Sequence, residues 1–233
     1  MRVAYSEQLS DLAGELAAMC GLAEIAMQLA TQSLLQADLP LAEQVIEEDE
    51  RIDELRAECE EKAFALLALQ APVAGDLRAL VSAIKIIADV ERSADLCVNI
   101  CKAARRIYSH ELDSHLRGII QKCGSQASLL FKEATEAYLN NDGVRAAALH
   151  DMDAYLDDLH RQFIQVIFES HAAGNIDLQV AVQLAVVARF YERIGDHAVN
   201  VGERTRYIVD GWIPETPYAE SHNVLPGATD TST

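Results

Sequence analysis

The chain has 233 residues, half of them apolar, enough to bury a core in one large or two small domains. Its 37 acidic against 19 basic residues leave a formal charge of −18, which repels nucleic-acid backbones and anionic lipid surfaces, so no direct nucleic-acid or membrane-surface binding is expected. No run reaches the roughly 18–20 uninterrupted apolar residues of a bilayer span, and the start from Met1 to Glu7 lacks a signal-peptide core, so a cytoplasmic protein is expected.

Apolar residues recur at helical spacing from the beginning: Leu9, Leu12, Leu16, Met19, Ala23, Met27, Ala30 and Leu34 mark a first helix. Asp38 and Pro40 close it and open a second. Breaks at 71–75, at 109–113, at 140–143 and at Gly174 with Asn175 delimit four more, giving six long helices and no alternating strand pattern. Asp38, Asp76 and Asp142 stand where a carboxylate accepts the first free amide protons of a helix. Cys20, Cys59, Cys97, Cys101 and Cys123 fall within the apolar patterns and form no Cys-x-x-Cys pair, so reduced, buried thiols are expected. Beyond Pro214 the sequence turns to Pro, Thr, Ser and Gly, the composition of a disordered tail over 213–233.

Compared with itself, the chain repeats. At an offset of about 104, Leu12, Leu16 and Met19 align with Leu116, Ile120 and Cys123. The same offset aligns Asp38 with Asp142, Asp49 with Asp153, Asp53 with Asp157 and Phe64 with Phe168. The next turn is shorter in the second copy. From there Asp76 aligns with Asp177, Glu91 with Glu192, Arg92 with Arg193, Asp95 with Asp196, Asn99 with Asn200 and Arg105 with Arg206. Helical periodicity alone aligns apolar positions by accident, so the matched charges carry the argument. The predicted fold is all-α: two tandem three-helix bundles related by internal duplication, over residues 1–110 and 111–212, packed side by side.

Glu91, Asp95 and Asn99 lie four apart on the third helix, and Glu192, Asp196 and Asn200 repeat the row on the sixth. The second and fifth helices supply Asp49 with Asp53 and Asp153 with Asp157. Converging carboxylates repel by about 4 kcal/mol per pair at 4 Å and an effective dielectric near 20, so some must be protonated or a cation must sit among them. Eight residues are therefore candidate metal ligands: Asp49, Asp53, Glu91, Asp95, Asp153, Asp157, Glu192 and Asp196. An all-oxygen set suits hard cations such as Mg, Mn, Ca or ferric iron. Ala181, Ala185, Ala188 and Gly195 would leave the helix face open beside the second row. His197 points about 100° away from Asp196 and is not counted as a ligand. The alternative is a solvated acidic face, with Arg92 and Arg193 neutralising the rows. Lys102, Arg105, Arg106, Arg204 and Arg206 gather at helix ends, where they compensate the helix dipole or form a docking patch.

The stretch Ala71-Pro72-Val73-Ala74-Gly75-Asp76-Leu77-Arg78, followed by Glu91, Arg92, Asp95 and Asn99, resembles the PhoU family. So does Tyr191-Glu192-Arg193-Ile194-Gly195-Asp196-His197-Ala198-Val199-Asn200; the first copy departs at Ser93, Ala94 and Leu96. The resemblance spans roughly residues 5–211 and implies two three-helix bundles with carboxylate clusters that bind divalent or trivalent metal ions, Fe, Mg or Mn. It further implies a negative regulator of phosphate uptake and the phosphate-starvation response. Such a regulator acts as an adaptor between the ATPase subunit of the Pst phosphate ABC transporter and a PhoR-type sensor histidine kinase, recruited to the inner membrane face by those proteins. The long helical faces also admit a homodimer. Two rival readings are a carboxylate-bridged metal-dependent enzyme and a helical adaptor unrelated to phosphate. The enzyme would want Glu-x-x-His, but Ala94 and Gly195 stand three beyond Glu91 and Glu192, and only Asp157 with His160 comes near. No catalytic residues are expected.

Overall fold

Six helices form where the apolar period places them: α1 (Arg2–Gln36), α2 (Leu39–Gln70), α3 (Ala74–Ile107), α4 (Ser114–Asn140), α5 (Gly143–Ala172) and α6 (Leu178–Asp210). The computed structural model describes residues 2–70 and 72–211, and no strand occurs among them. The tail expected over 213–233 lies outside the described residues.

The helix boundaries follow local chemistry. Ala37 turns the chain with a φ of 51°, and the Asp38 carboxylate then accepts from the Leu41 amide at 3.0 Å, opening α2. Asp142 and Asp177 cap α5 and α6 the same way, accepting from Arg145 and Val180. Asp76, expected to cap α3, does not: α3 begins at Ala74, its N-cap is Val73 with no side-chain hydrogen bond, and Asp76 sits inside the first turn. There its charge still favours the positive helix end. The cap of α4 is Asp113, whose Oδ1 accepts from the amides of His115 and Leu116 at 2.9 and 3.0 Å.

Short connections force sequential helices antiparallel, so α1–α3 and α4–α6 each close into a bundle. The bundles meet through α1 on α4 and α3 on α6, which leaves α2 and α5 outermost. One continuous apolar core runs through both. The stretch Glu7–Gln36 of α1 has the length and mean hydropathy, 1.3, of a membrane span. Its apolar side is spent on that core, with Leu12, Leu16, Met19, Ala23, Met27 and Ala30 all fully buried.

The duplication is expressed as a pseudo-twofold contact between the halves. Thr31 of α1 lies against Gly124 of α4, where an added Cβ would fall 2.4 Å from Thr31 Oγ1. Thr135 of α4, at the equivalent position, in turn lies beside the Cys20 thiol of α1. All five cysteines are buried and unpaired. Burial pushes their thiols up, Cys20 and Cys123 to about 12 and Cys59 and Cys101 to about 11, so they stay protonated.

Candidate functional site

Antiparallel packing of α2 on α3 and of α5 on α6 brings each acidic pair opposite an acidic row. Asp49 feels the charges of Asp95, Asp53 and Glu91, and Asp153 those of Asp157, Asp196 and Glu192. All eight carboxylates named from the sequence thus fall into two clusters of four, one per bundle. Both clusters open to solvent: Asp53, Asp95 and Asp196 are exposed, while Asp49 and Asp153 are half-buried beneath them. Burial, with neighbouring carboxylates adding to it, pushes Asp49 and Asp153 up to about 6. Glu91, Glu192 and Asp196 are raised for the same leading reason. Such upward shifts are what unneutralised carboxylates at close quarters produce.

Among the described residues, no three His, Cys, Asp or Glu side chains are gathered tightly enough to hold an ion as they stand. The donor set nevertheless fits a hard cation. Asp153 Oδ1 and Glu192 Oε2 are sealed from solvent without a hydrogen-bond partner, an arrangement that costs free energy unless something positive approaches. The open face predicted at Gly195 is filled by the opposing helix: a Cβ there would fall 2.4 Å from Asp153 Oδ1 and 2.7 Å from Leu156 Cδ2. Glycine therefore lets the Asp153 carboxylate press against the α6 backbone.

The rows do not continue as the sequence suggested. Asn200 turns away from Asp196 and donates its side-chain amide to Asp89 Oδ1 on α3 at 3.2 Å. His197 also faces α3. Its Nδ1 lies 2.9 Å from the same oxygen and donates to it, since an ionised carboxylate only accepts. Leaving His197 out of the ligand set is consistent with this geometry. Asp89, which is not among the candidate ligands, is thereby the centre of a buried polar knot between the two bundles, and His197 Nε2 is left there without a partner. At the pseudo-symmetric positions stand Phe190 and Leu96.

Beyond Arg92 and Arg193, sequence reasoning gave the cations beside the clusters no part in their charge balance. Arg56 of α2 makes ion pairs with Asp53 at 3.6 Å and Glu60 at 3.5 Å, and its charge reaches Glu91. Lys102 of α3 acts on Asp49. In the second copy Arg189 pairs with Glu192, and His160 occupies the place of Arg56. At the ends of α3 and α6, Arg105 pairs with Glu43 at 3.2 Å and Arg106 donates to Gln183 Oε1 at 3.2 Å. These two residues therefore tie helices together as well as meeting a helix end.

The PhoU domain matches this chain twice, over residues 16–104 and 120–205, each match covering most of one bundle. The "Phosphate-specific transport system accessory protein PhoU homolog 2" of Mycobacterium tuberculosis is 47% identical over 215 residues, covering 92% of this chain and 100% of that protein. The PhoU homolog of Caulobacter vibrioides is 33% identical over 207 residues, covering 89% and 90%. Among solved structures, PhoU from Pseudomonas aeruginosa superposes with a TM-score of 0.85 at 27% identity, covering 89% of this chain and 100% of that one. Two matched domains, relatives aligned over nearly their whole length and a shared fold make this chain a member of the PhoU family.

Proposed function

We propose that the protein is a negative regulator of phosphate uptake and of the phosphate-starvation response, acting in the cytoplasm as an adaptor between the Pst phosphate transporter's ATPase subunit and a PhoR-type sensor kinase. The observation that carries this reading is the 47% identity, across a relative's full length, to a phosphate-specific transport system accessory protein. The physical character of the molecule supports it. A charge of −18 disfavours direct contact with anionic lipid, so recruitment to the membrane runs through proteins. Long helices expose large apolar side chains, including Phe64 and Phe168 at equivalent positions of the two copies, 55% and 70% exposed. Such exposed apolar surfaces are the kind that partner proteins cover.

Hard cations at the two carboxylate clusters belong to the same proposal: Asp49, Asp53, Glu91 and Asp95 would hold one, and Asp153, Asp157, Glu192 and Asp196 the other. A bound ion would supply the positive charge that the clusters lack and tie the outer helix of each bundle to its neighbour. Deleting the protein is expected to derepress phosphate-responsive genes in high phosphate, read as transcript levels. Unchanged transcription in a strain without a paralogue would overturn the regulator reading. Metal content of natively purified protein, compared with an Asp95→Asn, Asp196→Asn double variant, tests the clusters separately.

A further inference from the structure

An apolar cavity of about 350 Å³ lies where the two bundles meet, lined by Leu9 and Leu12 of α1 and Ala83 of α3 on one side and by Tyr138 of α4 and Ile208 of α6 on the other. The duplication shows why there is room. Ala13, Ala79 and Ala83 of its wall correspond to Arg117, Val180 and Leu184 at the other end of the pseudo-twofold contact, where Val180 and Leu184 are fully buried. Three alanines thus stand in place of three larger side chains. The rim shows the same difference: Leu139 is 47% exposed, while its counterpart Leu35 packs against the core.

The chain leaves α6 at this cavity. Ile208, on the wall, is three residues, or about 4.5 Å of helix, from Gly211. Gly211 is left-handed, with a φ of 69°, and its amide donates to the Tyr207 carbonyl at 3.2 Å, a helix end that turns the residues after it back toward the last turn. A Cβ on Gly211 would lie 3.9 Å from Arg78 Cζ, and Arg78 is the neighbour in sequence of Ala79. Trp212 and Ile213 come next. The first copy shows what the chain does on leaving such a helix: between α3 and α4, Leu112 is partly buried against the core. Leu112 is the counterpart of Ile213.

We propose that Trp212 and Ile213 dock in this cavity as an internal strap, fastening the end of α6 in the second bundle across α1 and α3 of the first. Volume is exchanged between wall and segment: where the wall loses Val180 and Leu184 to Ala79 and Ala83, the segment gains Trp212 and Ile213 for Glu111 and Leu112. Trp212 directly follows the capped helix end, so almost no chain has to be ordered to deliver it. Arg78 Nε, sealed from solvent without an acceptor among the described residues, lies where a main-chain carbonyl of the strap would satisfy it.

Trp212 is the only tryptophan in the chain, so fluorescence of the full-length protein reports on this segment alone. Native emission is expected to be blue-shifted from that of the urea-unfolded chain, with weaker quenching by acrylamide, and both are expected to be independent of protein concentration. Nuclear Overhauser contacts from the indole to the Ala79 and Ala83 methyls are expected to fix its place. Ala79→Val with Ala83→Leu copies the counterpart wall and is expected to expel the indole, moving the emission to the unfolded value with circular dichroism unchanged. Unfolded-like emission in the native wild-type chain overturns the proposal. So does a blue shift that grows with protein concentration, which would put a second copy's segment in the cavity, or an indole whose contacts exclude Ala79 and Ala83. A folded double variant that keeps the blue shift overturns it as well; should that variant fail to fold, the wild-type emission and contacts decide.

Discussion

Asp49 and Asp153 sit deepest in their clusters, and their carboxyls are raised to about 6 by burial, with like charges adding to it. A folded-state value above the unfolded one, near 3.9, means the folded chain holds these protons more tightly than the unfolded chain. The stabilisation is then fully present below about pH 4 and is lost as pH rises through about 6. Both groups are partly exposed, so solvent screening reduces the expected effect to roughly 1 kcal/mol each. In chelator, Asp49→Asn and Asp153→Asn are each expected to raise the urea midpoint at neutral pH and to flatten its fall between about pH 4 and 6.5. An unchanged pH profile would show that these carboxyls titrate normally. The placement of these residues was legible in the sequence, because a four-residue spacing puts carboxylates on one helical face and the duplication says which faces correspond. The direction of their neighbours was not. Asn200 and His197 share the row's helix, yet a rotation of about 100° per residue sends His197 to Asp89. His160 was weighed only against a metalloenzyme motif, a comparison that says nothing about charge balance.

At the scale of the helix, the boundaries were readable because Asp, Pro and Gly interrupt the apolar period. The caps were less so. Asp76 aligns with Asp177, which does cap its helix, but α3 starts two residues before Asp76, at Ala74, whose φ of 50° turns the chain into the helix. Asp113 stands in the loop between the two repeats and does the most. Besides capping α4, its Oδ2 accepts from Ser170 and, at 3.3 Å, from Asn175, fastening the α5–α6 turn to the start of α4. Burial pulls its carboxyl upward, but these hydrogen bonds win and hold it below the ordinary range. Asp113→Ala is expected to cost about 1–2 kcal/mol in urea unfolding, since capping losses run to that size. Because the folded value is depressed, the cost is present above about pH 4 and shrinks as the pH falls through the folded value. A loss near zero at neutral pH would show that water replaces the cap. At the second close approach, Gly124→Val would drive its side chain into Thr31, whose hydroxyl lies 2.9 Å from Tyr191 Oη, and is expected to lower the thermal midpoint. A midpoint equal to that of wild type would mean α1 and α4 can part without cost.

Across the whole molecule, the halves are joined by a contact that is symmetric in backbone and asymmetric in chemistry. On one side of the pseudo-twofold axis Asp89 meets His197 and Asn200; the related positions carry Phe190 and Leu96. A buried pair of this kind contributes little net stability, because desolvation offsets the attraction, but breaking it strands a charge. His197→Leu leaves Asp89, 7% exposed, with only Asn200 as a side-chain partner, and is expected to destabilise by about 3–5 kcal/mol. The chain itself supplies the compensating design. Asp89→Phe with His197→Leu copies the Phe190 and Leu96 pair onto the opposite side, and the double variant is expected to recover most of the loss or exceed wild type. The double variant also makes the two sides of the contact alike in chemistry, and self-association between chains is expected to rise. Guanidinium unfolding of the singles and the double, with light scattering to count chains, measures both effects. A double variant as unstable as the single would show that the polar knot is held for its geometry, and that the interface between the bundles tolerates no apolar substitute.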